Sequence, residues 1–184
     1  MSFSQREKEM TLTELVVIHC APTLKDVKCS SLVCLASLSS FDGKELKGLE
    51  RKGLSFRFLT NRKGCPLLFL YRKKRLENVI EGEAHAVLTS LGYDTSSVEK
   101  TLDRLEVRMM EDDFPHEIGI LLGYPLDDVR SFVENRGENF ILSGVWKVYH
   151  NPEKAERTFR LYSECTRCLI SEYGKEKELY RLCV

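Results

Sequence analysis

The chain has 184 residues, of which 42% are hydrophobic, so it can bury one sizeable core and is predicted to form a single domain. Its 28 basic residues balance its 28 acidic residues, which disfavours a general electrostatic attraction to nucleic acid or to anionic lipid. No apolar run approaches the roughly 20 residues that a membrane helix needs. The seven cysteines are odd in number and scattered, as is typical of reduced thiols. We therefore expect a cytoplasmic protein with no nucleic-acid or membrane partner.

The N-terminal part of the chain predicts a tail followed by alternating strands and helices. Residues 1–12 are polar and of mixed charge, so we predict a flexible tail there and a single α+β domain over residues 13–184. The β-branched run over residues 14–19 predicts a buried first strand that ends at His19 and Cys20. Two serines at positions 30 and 31 predict the cap of a helix. The helices predicted in this part cover residues 32–38 and 42–53.

The middle of the chain predicts a hairpin and then several helices. Residues 54–59 alternate apolar and polar side chains, residues 66–71 are apolar throughout, and a connection of hairpin length contains Gly64. This pattern predicts an outer strand beside an inner one. Helical spacing of apolar residues predicts one helix from 76 to 91, ended by Gly92, and another from 98 to 109, capped by Ser96 with Glu99. Prolines 115 and 125 predict short helices over residues 116–122 and 125–136.

The C-terminal part predicts one more strand and a long helix. Residues 145–149 alternate as a strand does, and Trp146 is expected to be buried there with a partner for its indole N–H. Asn151 and Pro152 predict the start of the long helix. The complete pattern predicts an α+β fold, in which a small mixed β-sheet of about four strands is packed with six or seven helices.

Three segments carry a resemblance to a known family. They are residues 19–24 (HCAPTL), 114–125 (FPHEIGILLGYP) and 143–149 (SGVWKVY). Together they resemble family 3793 of the bacterial domains of unknown function, over nearly the whole chain. The resemblance implies an accessory role in iron or redox physiology, with a redox or iron-metabolism protein as partner, and it implies no particular reaction. Where family members often have Lys-Pro-Ala, this chain has Lys28-Cys-Ser-Ser31, so the resemblance assigns no role to Cys29.

The strongest candidate for chemistry is a cysteine with a histidine from elsewhere in the fold. Cys20 follows a predicted strand, and His116 lies at a predicted helix start beside Glu117. An imidazolium or a helix N-terminus lowers the pKa of a thiol, and a third group can orient the base. We therefore predict Cys20, His116 and Glu117 as a candidate catalytic set. The neighbouring polar residues predicted to bind a ligand are His19, Thr23 and Tyr124.

Two other motifs give weaker predictions. Cys165 and Cys168 form a CxxC inside the long helix, away from a helix N-terminus and without a second pair, so we predict neither a metal site nor a cofactor. Residues 118–133 resemble a helix-turn-helix, but Asp127 and Asp128 begin its second helix, where a DNA reader needs positive charge. The predicted functions are, in order, an accessory or binding protein with a pocket near His19, Cys20, His116 and Glu117, a small cysteine-dependent enzyme that uses Cys20 with His116, and a nucleic-acid-associated regulator, which is disfavoured.

Overall fold

The computed structural model of this chain describes residues 10–36, 38, 43–175 and 178–184. These residues form an α+β fold with five short strands and nine helices. The strands are β1 (Ser30–Cys34), β2 (Leu54–Thr60), β3 (Pro66–Arg72), β4 (Leu142–Ser143) and β5 (Lys147–Val148). The helices are α1 (Leu12–His19), α2 (Ala21–Leu24), α3 (Lys73–Glu81), α4 (His85–Ser90), α5 (Val98–Met109), α6 (Ile118–Leu121), α7 (Leu126–Glu134), α8 (Pro152–Tyr173) and α9 (Leu179–Leu182). Two 3-10 turns cover Gly43–Leu46 and Leu49–Lys52.

The predicted α+β class is confirmed, although the sheets differ from the predicted mixed sheet. The larger sheet has the order β1-β3-β2 and the smaller one pairs β4 with β5, and all these pairs are antiparallel. The predicted hairpin is confirmed by the pairing of β2 with β3, in which Phe58 lies opposite Leu68. β3 is the inner strand, as its continuous apolar run predicts.

The three-stranded sheet lies between two layers of helices. Alternate residues of β3 point to opposite faces, so Leu68 and Leu70 belong to one hydrophobic cluster while Phe69 and Tyr71 belong to the other. The first cluster is completed by residues from α1, α2, α8 and α9. The second is completed by residues from α3, α4, α5, α6 and α7. Each buried core residue therefore packs against one face of the sheet or the other.

The predicted first strand is wrong, because the segment forms helix α1. Thr11 accepts a hydrogen bond from the backbone N–H of Glu14, and the Glu14 carboxylate accepts one from the backbone N–H of Thr11, which makes a capping box. The helix is buried on several sides, so the run from Leu15 to Ile18 is continuously apolar and lacks helical periodicity. Leu12, the last residue of the predicted tail, is also buried, whereas residues 1–9 lie outside the described part.

The predicted helix over residues 32–38 is also wrong in its described part, where β1 forms instead. β1 pairs with β3, and Leu32 lies opposite Phe69. Ser30 does not cap a helix, because its hydroxyl donates to the carbonyl oxygen of Leu121 at 2.6 Å. The more polar helical stretch predicted over residues 42–53 appears as the two 3-10 turns, and Asp42 lies outside the described residues.

Two predicted helices differ in detail from the structure. The helix predicted over residues 76–91 is divided at Gly82 into α3 and α4, and a Cβ at Gly82 would lie 2.8 Å from the carbonyl oxygen of Asn78. Helix α5 is confirmed, but Ser97 caps it, since its hydroxyl accepts from the backbone N–H of Lys100. The predicted strand over residues 145–149 is shorter, and only β5 pairs.

The long predicted helix is confirmed as α8, whose 22 residues span about 33 Å. It packs against α1, α2 and α9. In the part of the chain that the structure describes, no helix combines the length and the apolar composition that crossing a membrane requires.

Candidate functional site: a cleft beside Lys28

Lys28 lies in the connection between α2 and β1, with its side chain directed into the protein. The connection turns at Asp26, which has a left-handed backbone (φ 56°), and the Lys28 N–H donates to the carbonyl oxygen of Pro22 at 3.0 Å. Asp26 is the carboxylate closest to Lys28 in sequence. It instead pairs with Arg75 at 2.6 Å and with Arg72 at 3.1 Å. The local fold thus gives Lys28 no counter-ion.

The ammonium group of Lys28 is held by aromatic rings. Only 8% of the residue is exposed, and Nζ lies 5.0 Å from the ring centroid of Tyr124 and 5.8 Å from that of Tyr162. Among the described residues it has no ion pair and no hydrogen bond. Burial lowers the pKa of Lys28 from its usual value, and burial raises the pKa of Tyr124 and Tyr162 to about 12, so both rings face it as neutral phenols.

Such an arrangement is costly for the folded protein. Full removal of an ammonium from water costs several kcal/mol without a counter-ion, and Lys28 loses part of its hydration, while a cation–π contact contributes only about 0.5–2 kcal/mol. Buried lysines without a carboxylate are therefore uncommon, and their location is a candidate binding site.

Lys28 lines a cleft of about 360 Å³ between α1, α2 and α8. Its lining residues are Ile18, His19, Pro22, Lys28, Ser31, Val145, Tyr162, Ser163, Thr166, Arg167 and Ile170. None of them is acidic, whereas Lys28 and Arg167 are basic and four carry hydroxyl groups. Arg167 is exposed and, in the described part of the chain, forms no ion pair. The cleft therefore offers positive charge and hydrogen-bond donors to a ligand.

Several residues predicted from the sequence gather around this cleft. His19 lines it, and the ring of Tyr124 makes a cation–π contact with the Lys28 ammonium. Thr23 lies beneath it, with its hydroxyl 2.8 Å from that of Ser31. Cys20 is completely buried, and burial raises its pKa to about 12 even though the positive charge of Lys28 opposes the shift. The Cys20 thiol is therefore protonated at neutral pH.

His116 and Glu117 do not join this group. Cys20 belongs to the first hydrophobic cluster, whereas Ile118, next to Glu117, belongs to the cluster on the other face of the sheet. His116 is exposed and packs its ring against Phe132 at 5.0 Å. The structure thus does not bring together Cys20 and His116.

Glu117 has a structural role on that second face. Its carboxylate accepts from Arg108 Nε at 2.8 Å and from the Tyr93 hydroxyl at 3.0 Å. Burial alone would raise the pKa of Glu117, but these hydrogen bonds outweigh it and hold the pKa below its usual value. The carboxylate therefore links α5 to the start of α6 and is not directed at His116.

His116 lines a separate, apolar cavity of about 230 Å³. Its wall includes Tyr124 and Trp146, whose rings are stacked at 5.1 Å, and Phe159 contacts Trp146 edge-on at 4.6 Å. Trp146 is half-buried in this aromatic group and not in the main sheet. Its predicted hydrogen-bond partner is found, because its indole N–H donates to Asp128 at 2.8 Å.

Residues 16–183 match the family described as "Protein of unknown function (DUF3793)". The chain belongs to this family. The match confirms the family predicted from the three sequence segments. A comparison with the curated proteins and one with the solved structures both found no match.

In this DUF3793 chain the second helix of the helix-turn-helix segment is α7, and its start contacts the segment 146–150. Asp128, in the first turn of α7, accepts hydrogen bonds from Trp146 and from the backbone N–H groups of Tyr149 and His150. The Asp128 side of the start of α7 is therefore covered by the segment 146–150, at the end that a recognition helix presents to base edges.

The CxxC of this DUF3793 member lies on α8. Cys165 is half-buried against the first hydrophobic cluster, and Cys168 is exposed. Across the residues that the structure describes, no three His, Cys, Asp or Glu side chains are grouped to hold a metal ion.

Sequence reasoning missed Lys28, Tyr162 and Arg167. A lysine becomes notable only when it is known to be buried and unpaired, and both properties arise from tertiary structure.

Proposed function

We propose that the protein binds a small organic anion in the cleft beside Lys28 and acts as a binding or accessory protein. The observation that carries this proposal is Lys28, a residue only 8% exposed, which has no counter-ion among the described residues and whose side chain lines a cleft without acidic residues. A carboxylate or phosphate group of the ligand would supply the missing negative charge. Such a charge-assisted hydrogen bond is among the stronger polar interactions in proteins.

The chemistry of the other lining residues supports the same class of ligand. Arg167 can contribute a second positive charge at the cleft mouth, and the hydroxyls of Ser163 and Thr166 lie on the same helix. The cleft volume of about 360 Å³ lies at the lower end of the range of roughly 300–1,000 Å³ for small-molecule sites. We therefore propose a metabolite-sized ligand.

A binding protein ranks above the two alternatives. A cysteine-dependent enzyme would need a thiolate at Cys20, and burial opposes this by raising its pKa to about 12. A nucleic-acid regulator would need α7 to be free, and the contacts of Asp128 oppose this. We keep the setting in cytoplasmic iron or redox metabolism as part of the proposal, and its support is the family resemblance alone.

The proposal is tested by isothermal titration calorimetry with citrate, phosphate and acetate as probes and glucose as the neutral comparison. We expect at least one anion to bind and glucose not to bind. Lys28→Met should weaken that binding at least about tenfold, because a hydrogen bond from a charged donor contributes about 1.5–3 kcal/mol. Raising the pH should also weaken it, at lower pH than for an ordinary lysine, because burial lowers the pKa of Lys28.

Lys63→Met is the matched control. Lys63 is exposed in the β2–β3 connection, so this substitution should leave binding unchanged. The free energy of unfolding of Lys28→Met should be equal to or above that of the wild type, since the substitution removes an unpaired buried charge. Binding of the same anion with equal affinity to Lys28→Met would refute the proposal, as would the absence of binding by all three anions.

A further inference from the structure

Cys34 and Cys65 place two thiols in contact at one end of the sheet. Their Sγ atoms are 2.9 Å apart, although 31 positions separate them in sequence. Cys34 is exposed and Cys65 is half-buried. This pair belongs neither to the Lys28 cleft nor to the apolar cavity.

Strand register brings the two residues together. Cys34 is the last residue of β1 and lies opposite Leu67 of β3, while Cys65 immediately precedes β3. Side chains two positions apart on a strand point to the same face, so Cys65 lies on the same face as Leu67 and is the diagonal neighbour of Cys34. The ladder continues one step beyond Cys34, because the Leu35 N–H donates to the carbonyl oxygen of Pro66 at 2.8 Å.

The β2–β3 connection fixes the position of Cys65. The side-chain oxygen of Asn61 accepts from the backbone N–H groups of Lys63 and Cys65, both at 3.0 Å. Gly64 has a left-handed backbone (φ 74°), which permits the chain to turn immediately before Cys65. A hydrogen-bonded turn thus fixes the backbone of Cys65 and, because the cysteine side chain is short, the position of its thiol.

The other cysteines are arranged differently. Cys20, Cys29 and Cys183 are buried, and each thiol is enclosed by the protein. Cys165 and Cys168 occupy consecutive turns of α8. Because they lie on a helix, they lack the strand pairing that brings Cys34 and Cys65 together. This second pair therefore serves as an internal comparison.

We propose that Cys34 and Cys65 are a redox-active dithiol that exchanges with disulfide compounds. The thiolate of Cys34 attacks one sulfur of a disulfide RSSR, forming a mixed disulfide and releasing RS⁻. Cys65 then loses its proton to solvent and attacks Cys34 Sγ, forming the Cys34–Cys65 disulfide and releasing the second RS⁻. The two thiols are oxidised by two electrons, and RSSR is reduced to two RSH.

The structure distinguishes the roles of the two thiols. Cys34 is the more exposed, so a disulfide compound reaches it first. The hydrogen bond with Cys34, followed by burial, raises the pKa of Cys65 to about 11, so Cys65 keeps its proton until the mixed disulfide has formed. Cys34 is therefore the attacking residue and Cys65 the resolving residue.

The test is to incubate the native, fully reduced protein with oxidised glutathione and to follow the intact mass and the peptide map. We expect the wild type to lose two hydrogen masses and the disulfide to map to Cys34 and Cys65. Cys65→Ser should stop at a mixed disulfide of Cys34 with one glutathione. Cys34→Ser should abolish formation of the intramolecular disulfide.

Cys168→Ser is the control, and it should form the Cys34–Cys65 disulfide as the wild type does. A disulfide that maps to Cys165 and Cys168 would overturn the proposal. It would also be overturned if the wild type formed no intramolecular disulfide, or if Cys65→Ser left Cys34 unmodified.

Discussion

At the scale of single residues, Asp128 organises the aromatic group beside the candidate site. Its two carboxylate oxygens accept from the Trp146 indole at 2.8 Å and from the backbone N–H groups of Tyr149 at 2.8 Å and His150 at 2.9 Å. Only 2% of the residue is exposed. One buried carboxylate thus holds the segment 146–150 against the start of α7.

We expect Asp128→Ala to lower the free energy of unfolding by about 2–4 kcal/mol, because it leaves three donors unsatisfied, some of them buried. Urea denaturation followed by far-UV circular dichroism measures the change. Asp127→Ala is the matched control on the exposed side of the same helical turn, and it should cost no more than about 1 kcal/mol. Equal losses in the two variants would contradict the role given to Asp128.

At the scale of elements, the start of α5 provides a direct comparison of two neighbouring serines. The Ser97 hydroxyl accepts from the backbone N–H of Lys100 at 3.2 Å, whereas the Ser96 hydroxyl accepts from the exposed Lys100 ammonium at 3.1 Å and caps no backbone N–H of α5. We expect Ser97→Ala to cost about 1 kcal/mol of unfolding free energy and Ser96→Ala less than about 0.5 kcal/mol. Thermal or urea unfolding of both variants checks the difference, and the reverse order would favour the cap predicted from sequence.

Elements with a strong local pattern could be predicted from the sequence, and the others could not. The sequence of β2 alternates apolar and polar residues, and that of β3 is continuously apolar. The apolar residues of α5 and α8 recur at helical spacing. By contrast, α1 is buried on several sides, so its apolar run does not distinguish a helix from a strand. The Thr11–Glu14 capping box was the readable signal there.

The candidate site was only partly predictable for a related reason. His19, Thr23 and Tyr124 were expected to lie near a ligand and do lie around Lys28. The pairing of Cys20 with His116 depended on a strand before Cys20, and α1 replaces that strand. The contact between Cys34 and Cys65 depends on the register of β1 with β3, which could not be inferred while β1 was expected to be a helix.

At the scale of the whole molecule, the two hydrophobic clusters share one three-stranded sheet. Leu70 of β3 faces one cluster, and its neighbour Phe69 faces the other. Loss of the sheet would therefore expose the hydrophobic residues of both helical layers to water. We expect the protein to unfold in a single transition whose calorimetric enthalpy equals its van't Hoff enthalpy.

Two substitutions sharpen this expectation. Leu70→Ala should destabilise by about 2–5 kcal/mol through lost burial and a cavity, and Phe69→Ala by about 3–5 kcal/mol. Each should shift the entire transition to lower temperature. A calorimetric profile that separates into two peaks in either variant would show instead that the two layers unfold independently.

The stacked rings between Lys28 and Trp146 have an optical consequence. Trp146 is the single tryptophan of the chain, so the indole fluorescence of the protein comes from one position. Tyr124 lies between this indole and the Lys28 ammonium, 5.1 Å from one and 5.0 Å from the other. Indole emission responds to the local electric field, so an anion that neutralises Lys28 should shift the emission wavelength. The protein therefore contains its own fluorescent reporter of the charge state of the cleft.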